Sequence, residues 1–77
     1  MQVMHRPPLP EPRHVTIEED DGYARFVEVS ADFGEIVMLD ITTEEGRRDL
    51  RHERRMTPAQ AEKLGETLIE MARRATQ

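Results

Sequence analysis

Three apolar runs, "HVTIEE", "YARFVEV" and "EIVMLDIT", follow one another with only a short glycine-bearing segment between them. Each is rich in β-branched or aromatic residues, which suit a pleated, half-buried surface. The separators run from Asp20 to Gly22 and from Asp32 to Gly34, and both read as three-residue hairpin loops with glycine in the left-handed position. A chain punctuated in this way folds as an antiparallel meander.

Side-chain parity supports that loop length. Three-residue loops keep odd positions opposite odd positions, so Val15, Val27, Val29, Val37, Leu39 and Ile41 share one face, joined by Ile17 and Tyr23. A two-residue loop at Gly34 puts Val27 opposite Asp40 and scatters the set over both faces. Register follows the buried face, which favours the longer loop. The other face then carries Ala24, Phe26, Ile36 and Met38, a small apolar cluster on an otherwise polar domain.

Beyond Ile41 two readings stand. Glu44 to Gly46 opens a short helix capped by Thr43, or Glu45-Gly46 turns the chain into a fourth strand, "RRDLRHERRM". In the second register Leu50 faces Ile41 and Met56 faces Glu35. Apolar residues at even spacing with charge between them favour the strand. That segment also holds five of the chain's eleven basic residues. As a strand it projects Arg47, Arg51 and Arg55 from the outer face.

The helix that follows is the clearest element. Thr57-Pro58-Ala59-Gln60 is a capping box with proline at the first helical position. Ala61, Leu64, Leu68, Ile69, Met71, Ala72 and Ala75 recur at helical spacing, with charge on the opposite side. Glu70 and Arg74 form an i, i+4 pair, and Arg73 and Arg74 suit the negative end of the helix dipole. Gly65 lies within the stripe and invites close approach of another backbone, expected to be the chain's own sheet. The predicted architecture is α+β: a three- or four-stranded antiparallel β-meander with one C-terminal helix packed across one face. Leu64, Leu68, Ile69 and Met71 are expected on Val27, Val29, Val37 and Leu39. Residues 1–13 form an extended proline-rich arm, with four of the five prolines, ahead of a single domain over 14–77.

Seventy-seven residues with 36% hydrophobic and 35% charged content leave little apolar area to set against about 1.5 kcal/mol of ordering entropy per residue. Self-association is one remedy, so a homodimer is expected through Phe26, Ile36 and Met38 or a free strand edge. The charge is bipolar. Glu11 to Glu45 holds eleven acids against Arg13 and Arg25, while Gly46 to Gln77 holds eight bases against five acids.

Several chemistries find no support. The absence of cysteine removes disulfides and thiolate metal sites. "HERRM" begins like a zinc-protease motif but ends in Met56, and His5, His14 and His52 are dispersed. "EEDDG" places Gly22 and Glu28 as a calcium loop would, but Ile17 falls at the first ligand position. Ser30 is the lone serine, with no base assigned to it. No phosphate-cradling or dinucleotide glycine motif is present, and no cofactor or metal is expected. No apolar run approaches the roughly 18 residues of a membrane span, and the start lacks a signal-peptide core, so a cytoplasmic location is expected.

The segment "MTPAQAEKLGETLIEMARRA" resembles the C-terminal helix of many small proteins from actinobacteria and their phages, in which a strand enters a T-P-x-Q-A-x-x-L helix closing a β-meander. The resemblance covers about the last twenty residues. It implies an accessory protein, phage-encoded, that binds a host macromolecule, and it carries over no catalytic residue. Function is therefore expected to be stoichiometric protein binding through Phe26, Ile36, Met38, Arg47, Arg51 and Arg55. Nucleic-acid binding by the Arg47 to Arg55 cluster is the alternative, opposed by the net charge of −5 and by having only three aromatics.

Overall fold

Glycines at 22, 34 and 46 recur every twelve residues, and each adopts a left-handed φ of 72 to 79°. The computed structural model describes residues 8–77. In it, each glycine is the second residue of a two-residue turn between long strands. The strands are β1 (Arg13–Asp20), β2 (Tyr23–Asp32), β3 (Glu35–Glu44) and β4 (Arg47–Met56), followed by α1 (Pro58–Ala75). They form one antiparallel sheet in the order β1-β2-β3-β4. The expected α+β meander with a C-terminal helix is thus the observed fold, and the arginine-rich segment is a strand. Residues 8–12 carry no regular structure, and Arg13, the last residue of the expected arm, opens β1; residues 1–7 of the arm lie outside the described residues.

The first two loops are one residue shorter than expected, while Glu45-Gly46 is the expected two-residue turn. Asp20 pairs with Tyr23, Asp32 with Glu35 and Glu44 with Arg47. At the first two turns the preceding aspartate helps close the loop: Asp20 Oδ1 accepts from the Asp21 amide and Asp32 Oδ1 from the Phe33 amide, both at 2.8 Å. Val27 consequently faces Asp40 and Val29 faces Met38. A one-residue change in register sends every side chain to the other face, so the expected single apolar face does not exist.

Two faces of mixed character replace it. Cross-strand partners share a face, which places Phe26, Glu28, Val37, Leu39, Ile41 and Leu50 together on what we call the Phe26 face. Val27, Val29, Ala31, Ile36, Met38 and Met56 lie on the opposite, Val27 face. Two bulges adjust the edges, one at Ile17 in β1 and one at Arg51 in β4. Beyond the first, Val15 does face Val27. Leu50 meets Ile41 as expected, but Met56 meets Ile36 rather than Glu35.

The helix does not lie across either face. None of its residues is buried; Leu64 is 38% exposed and Leu68 59%. A Cβ added at Gly65 would meet nothing within 4 Å. The expected packing of Leu64, Leu68, Ile69 and Met71 on the chain's own valines is therefore absent, and the joint explains why. A single residue, Thr57, separates β4 from α1, with an extended ψ of 158°. Both hydrogen bonds of the capping box are formed: Thr57 Oγ1 accepts from the Gln60 amide at 3.1 Å and Gln60 Oε1 from the Thr57 amide at 2.9 Å. Pro58 fixes its own φ and disfavours helical geometry at the residue before it. Strand-to-helix loops that fold a helix back onto a sheet generally need two residues or more.

The result is long and thin, 55 × 37 × 16 Å. Only Val37 and Ile41 form a buried apolar core, with Thr42 the one buried polar residue among those described.

Candidate interaction surface

Charge organises the Phe26 face. Glu28 accepts from His14 Nε2 at 3.1 Å and from Arg48 at 3.0 Å, linking β1, β2 and β4 over the sheet. The His14 ring stands edge-on to Phe26, with centroids 5.2 Å apart. Ile41 lies beneath this cover, with Phe26 and Leu50 as direct partners and Glu28 and Arg48 on the diagonals, and it is fully buried. Farther along, Arg55 donates to Glu35 at 2.9 Å and to Glu53 at 3.5 Å, with Asp32 at 3.9 Å. The Glu35 hydrogen bond, followed by the charge of Glu53, raises the Arg55 pKa above its ordinary value.

On the Val27 face, Arg25 grips Asp40 in a two-pronged pair, Nε to Oδ1 at 3.4 Å and a terminal nitrogen to Oδ2 at 3.2 Å. Those bonds, and the charges of Arg25, Arg51 and His52, hold the Asp40 carboxyl below its ordinary pKa; partial desolvation works in the other direction. The pair divides the face into two regions. Toward the β2–β3 turn are Val29, Ala31, Ile36, Met38 and Met56, all half-buried. A shallow groove of about 300 Å³ adjoins them, lined by Val27, Met38, Leu39, Asp40, His52 and Arg54. Toward the β3–β4 turn is a polar groove of about 370 Å³, lined by Tyr23, Thr42, Arg47, Arg48, Arg51 and three acids. Thr42 Oγ1 is buried there without a hydrogen-bond partner.

The six residues expected to form one interaction surface are dispersed. Phe26 lies on the opposite face from Ile36 and Met38, because the two-residue turn at Gly34 pairs Phe26 with Ile41. Arg47 pairs with Glu44 on the Val27 face, Arg55 pairs with Val37 on the Phe26 face, and Arg51 occupies the bulge between them. The bulge reverses side-chain parity along β4, which spacing alone does not reveal. Arg55 is committed to the chain's own acids. Among the described residues Arg47, Arg51 and Arg54 have no carboxylate within ion-pair distance. Arg54, missed from sequence, lies beside Met38 on the Val27 face, and the alternation of β4 past its bulge is what identifies it.

Among the described residues no helix is long and apolar enough to cross a membrane, and no group of three or more His, Asp or Glu could hold a metal ion. Comparison with protein-family models, with curated proteins and with solved structures finds no match to this chain.

Proposed function

We propose that this chain is a non-enzymatic accessory protein, phage-encoded and acting in the host cytoplasm, that binds another protein stoichiometrically through the β4 side of its Val27 face. The observation that supports this reading is the unequal use of arginines. Arg25, Arg48 and Arg55 pair with acids of the chain itself, whereas on the edge strand Arg54 lies beside half-buried Met38 and Arg47 and Arg51 line the adjoining polar groove, none of the three in an ion pair among the described residues. Arginine next to apolar surface is the composition enriched at protein interfaces. An acidic partner patch would supply the missing carboxylates, and bidentate pairing would fix its orientation.

Nucleic acid is the rival. Its phosphates would suit the same arginines, but the eleven acids between Glu11 and Glu45 generate a repulsive field that opposes encounter. Affinity capture with the tagged chain, followed by the Arg51→Glu/Arg54→Glu variant, tests the reading. A protein retained by the native chain and lost from the variant is the expected result. Random duplex and single-stranded DNA should show no shift at about 0.15 M salt, where the Debye length is about 8 Å. Tight DNA binding that falls with salt at about −0.9 per phosphate contact, and that the variant abolishes, would establish the rival instead.

A further inference from the structure

The single chain leaves more surface uncovered than a compact protein of its size does. A compact protein of 9.0 kDa exposes roughly 4,900 Å². This one exposes 6997 Å², an excess of roughly 2,000 Å² over that expectation. Even if half of the excess is set aside for the segment ahead of β1, about 1,000 Å² per chain remains, the amount an obligate dimer buries on each partner. The radius of gyration is likewise 16.0 Å, against roughly 11.5 Å for a compact chain of this length.

Two parts of the uncovered surface would fit each other. One is the α1 stripe of Leu64, Leu68, Ile69 and Met71, which is 38 to 59% exposed. The other is the apolar half of the Val27 face, centred on Val29, Ile36 and Met38. Within one chain they are kept apart by the one-residue joint at Thr57, held by its capping box. Between two chains related by a two-fold axis, each helix reaches the other's sheet, and both surfaces are covered by one operation. Charge permits this. Residues 57–77 hold Lys63, Arg73 and Arg74 against Glu62, Glu66 and Glu70, so the helix is neutral and the acidic sheet does not repel it.

We infer that the protein is an exchanged homodimer in which α1 of each copy lies across the Val27 face of the other. Gly65 has its role in that contact. It weakens an isolated helix relative to alanine, and a Cβ there would meet nothing in its own chain, but it lets the partner's strand backbone approach the helix. The inference rests on packing and bears on the proposed protein-binding role: the exchanged helix would cover Met38 beside Arg54 and leave Arg47 and Arg51, at the polar groove, to an unlike partner.

Because the chain contains no cysteine, single introduced thiols can report the arrangement. A Met38→Cys chain is mixed with a Leu64→Cys or Leu68→Cys chain, refolded together and oxidised. A mass of two chains by light scattering, with disulfide linkage between the sheet thiol of one copy and the helix thiol of the other, is the expected result. A mass of one chain at every concentration overturns the inference and leaves the surface to an unlike partner. Linkage confined to Leu68→Cys with Leu68→Cys overturns it in favour of helix pairing. Gly65→Leu gives a second measurement that does not depend on oxidation. A Cβ at this position meets nothing in the lone chain and leucine is a good helix former, so the helix should form, while overpacking at the close approach should weaken dimerisation by about tenfold or more. Unchanged dimerisation in that variant also counts against the exchange.

Discussion

Two residues carry strains or pairings that single substitutions can measure. Glu45 has a φ of 52°, the one non-glycine residue in the left-handed region among those described. With Gly46 at 79° it gives the two positive φ values of a type I′ turn. A side chain with a Cβ costs about 1–2 kcal/mol there, and asparagine tolerates the geometry best. Glu45→Asn should therefore stabilise the fold by about 0.5–1 kcal/mol, seen as a higher midpoint in a circular-dichroism melt; a lower midpoint would contradict the turn geometry. Asp40 provides a pH test. Its carboxyl is held below the ordinary value of 3.8 by Arg25. The folded state therefore binds the proton more weakly than the unfolded state, and the pair stabilises the fold above the unfolded pKa. That contribution fades as pH falls through the lower folded pKa. Asp40→Asn should be less stable than the native chain at neutral pH, and the difference should close as the pH drops below about 3.8. A difference that persists undiminished at pH 2 would exclude the carboxylate as its source.

At the level of elements, the joint between β4 and α1 governs the molecule. Thr57 Oγ1 accepts from the Gln60 amide in the helix's first turn and Gln60 Oε1 from the Thr57 amide, and these two reciprocal hydrogen bonds hold the helix's exit angle. Thr57→Ala should cost about 0.5–2 kcal/mol, measured by denaturant titration, and should loosen the angle at which the helix leaves the sheet. Arg55 offers a contrast within β4. Its three acidic neighbours are about half exposed, as it is. Solvent screening leaves such pairs worth little, so Arg55→Ala should leave the circular-dichroism melting midpoint nearly unchanged despite the number of its contacts. The helix itself was fully legible in the sequence, from the capping box through the stripe to Arg73 and Arg74, because helix signals are local in the chain. The strands were legible as strands for the same reason. Their registers were not, since whether a turn takes two residues or three depends on which face is buried. The bulges at Ile17 and Arg51 leave no local mark.

For the whole molecule, stability should depend on concentration. If α1 covers a second copy's sheet, folding and association are one equilibrium, and the melting midpoint should rise as the chain is concentrated. Leu68→Ala should then cost about 2–5 kcal/mol, as for a buried leucine. In a lone chain, with Leu68 59% exposed, the same change would cost less than about 1 kcal/mol. A midpoint independent of concentration, together with a small effect of Leu68→Ala, would mean that the helix stays uncovered. The same scale sets the function proposed above. A sheet one layer thick offers broad faces and shallow grooves, which suits a macromolecular partner better than an enclosed substrate.

Local chemistry in the sequence determined what each segment becomes: glycine-closed strands, a charged fourth strand and a capped amphipathic helix. The tertiary structure decided how those segments share their surfaces. A turn one residue shorter at Gly34 moved Phe26 away from Ile36 and Met38. A bulge at Arg51 separated Arg47 from Arg55, and a one-residue joint at Thr57 kept the helix off its own sheet. Strand pairing and chain reversal depend on residues far apart in sequence meeting in one register. Composition and periodicity specify how much apolar surface must be covered, and the backbone path determines whether the same chain can cover it.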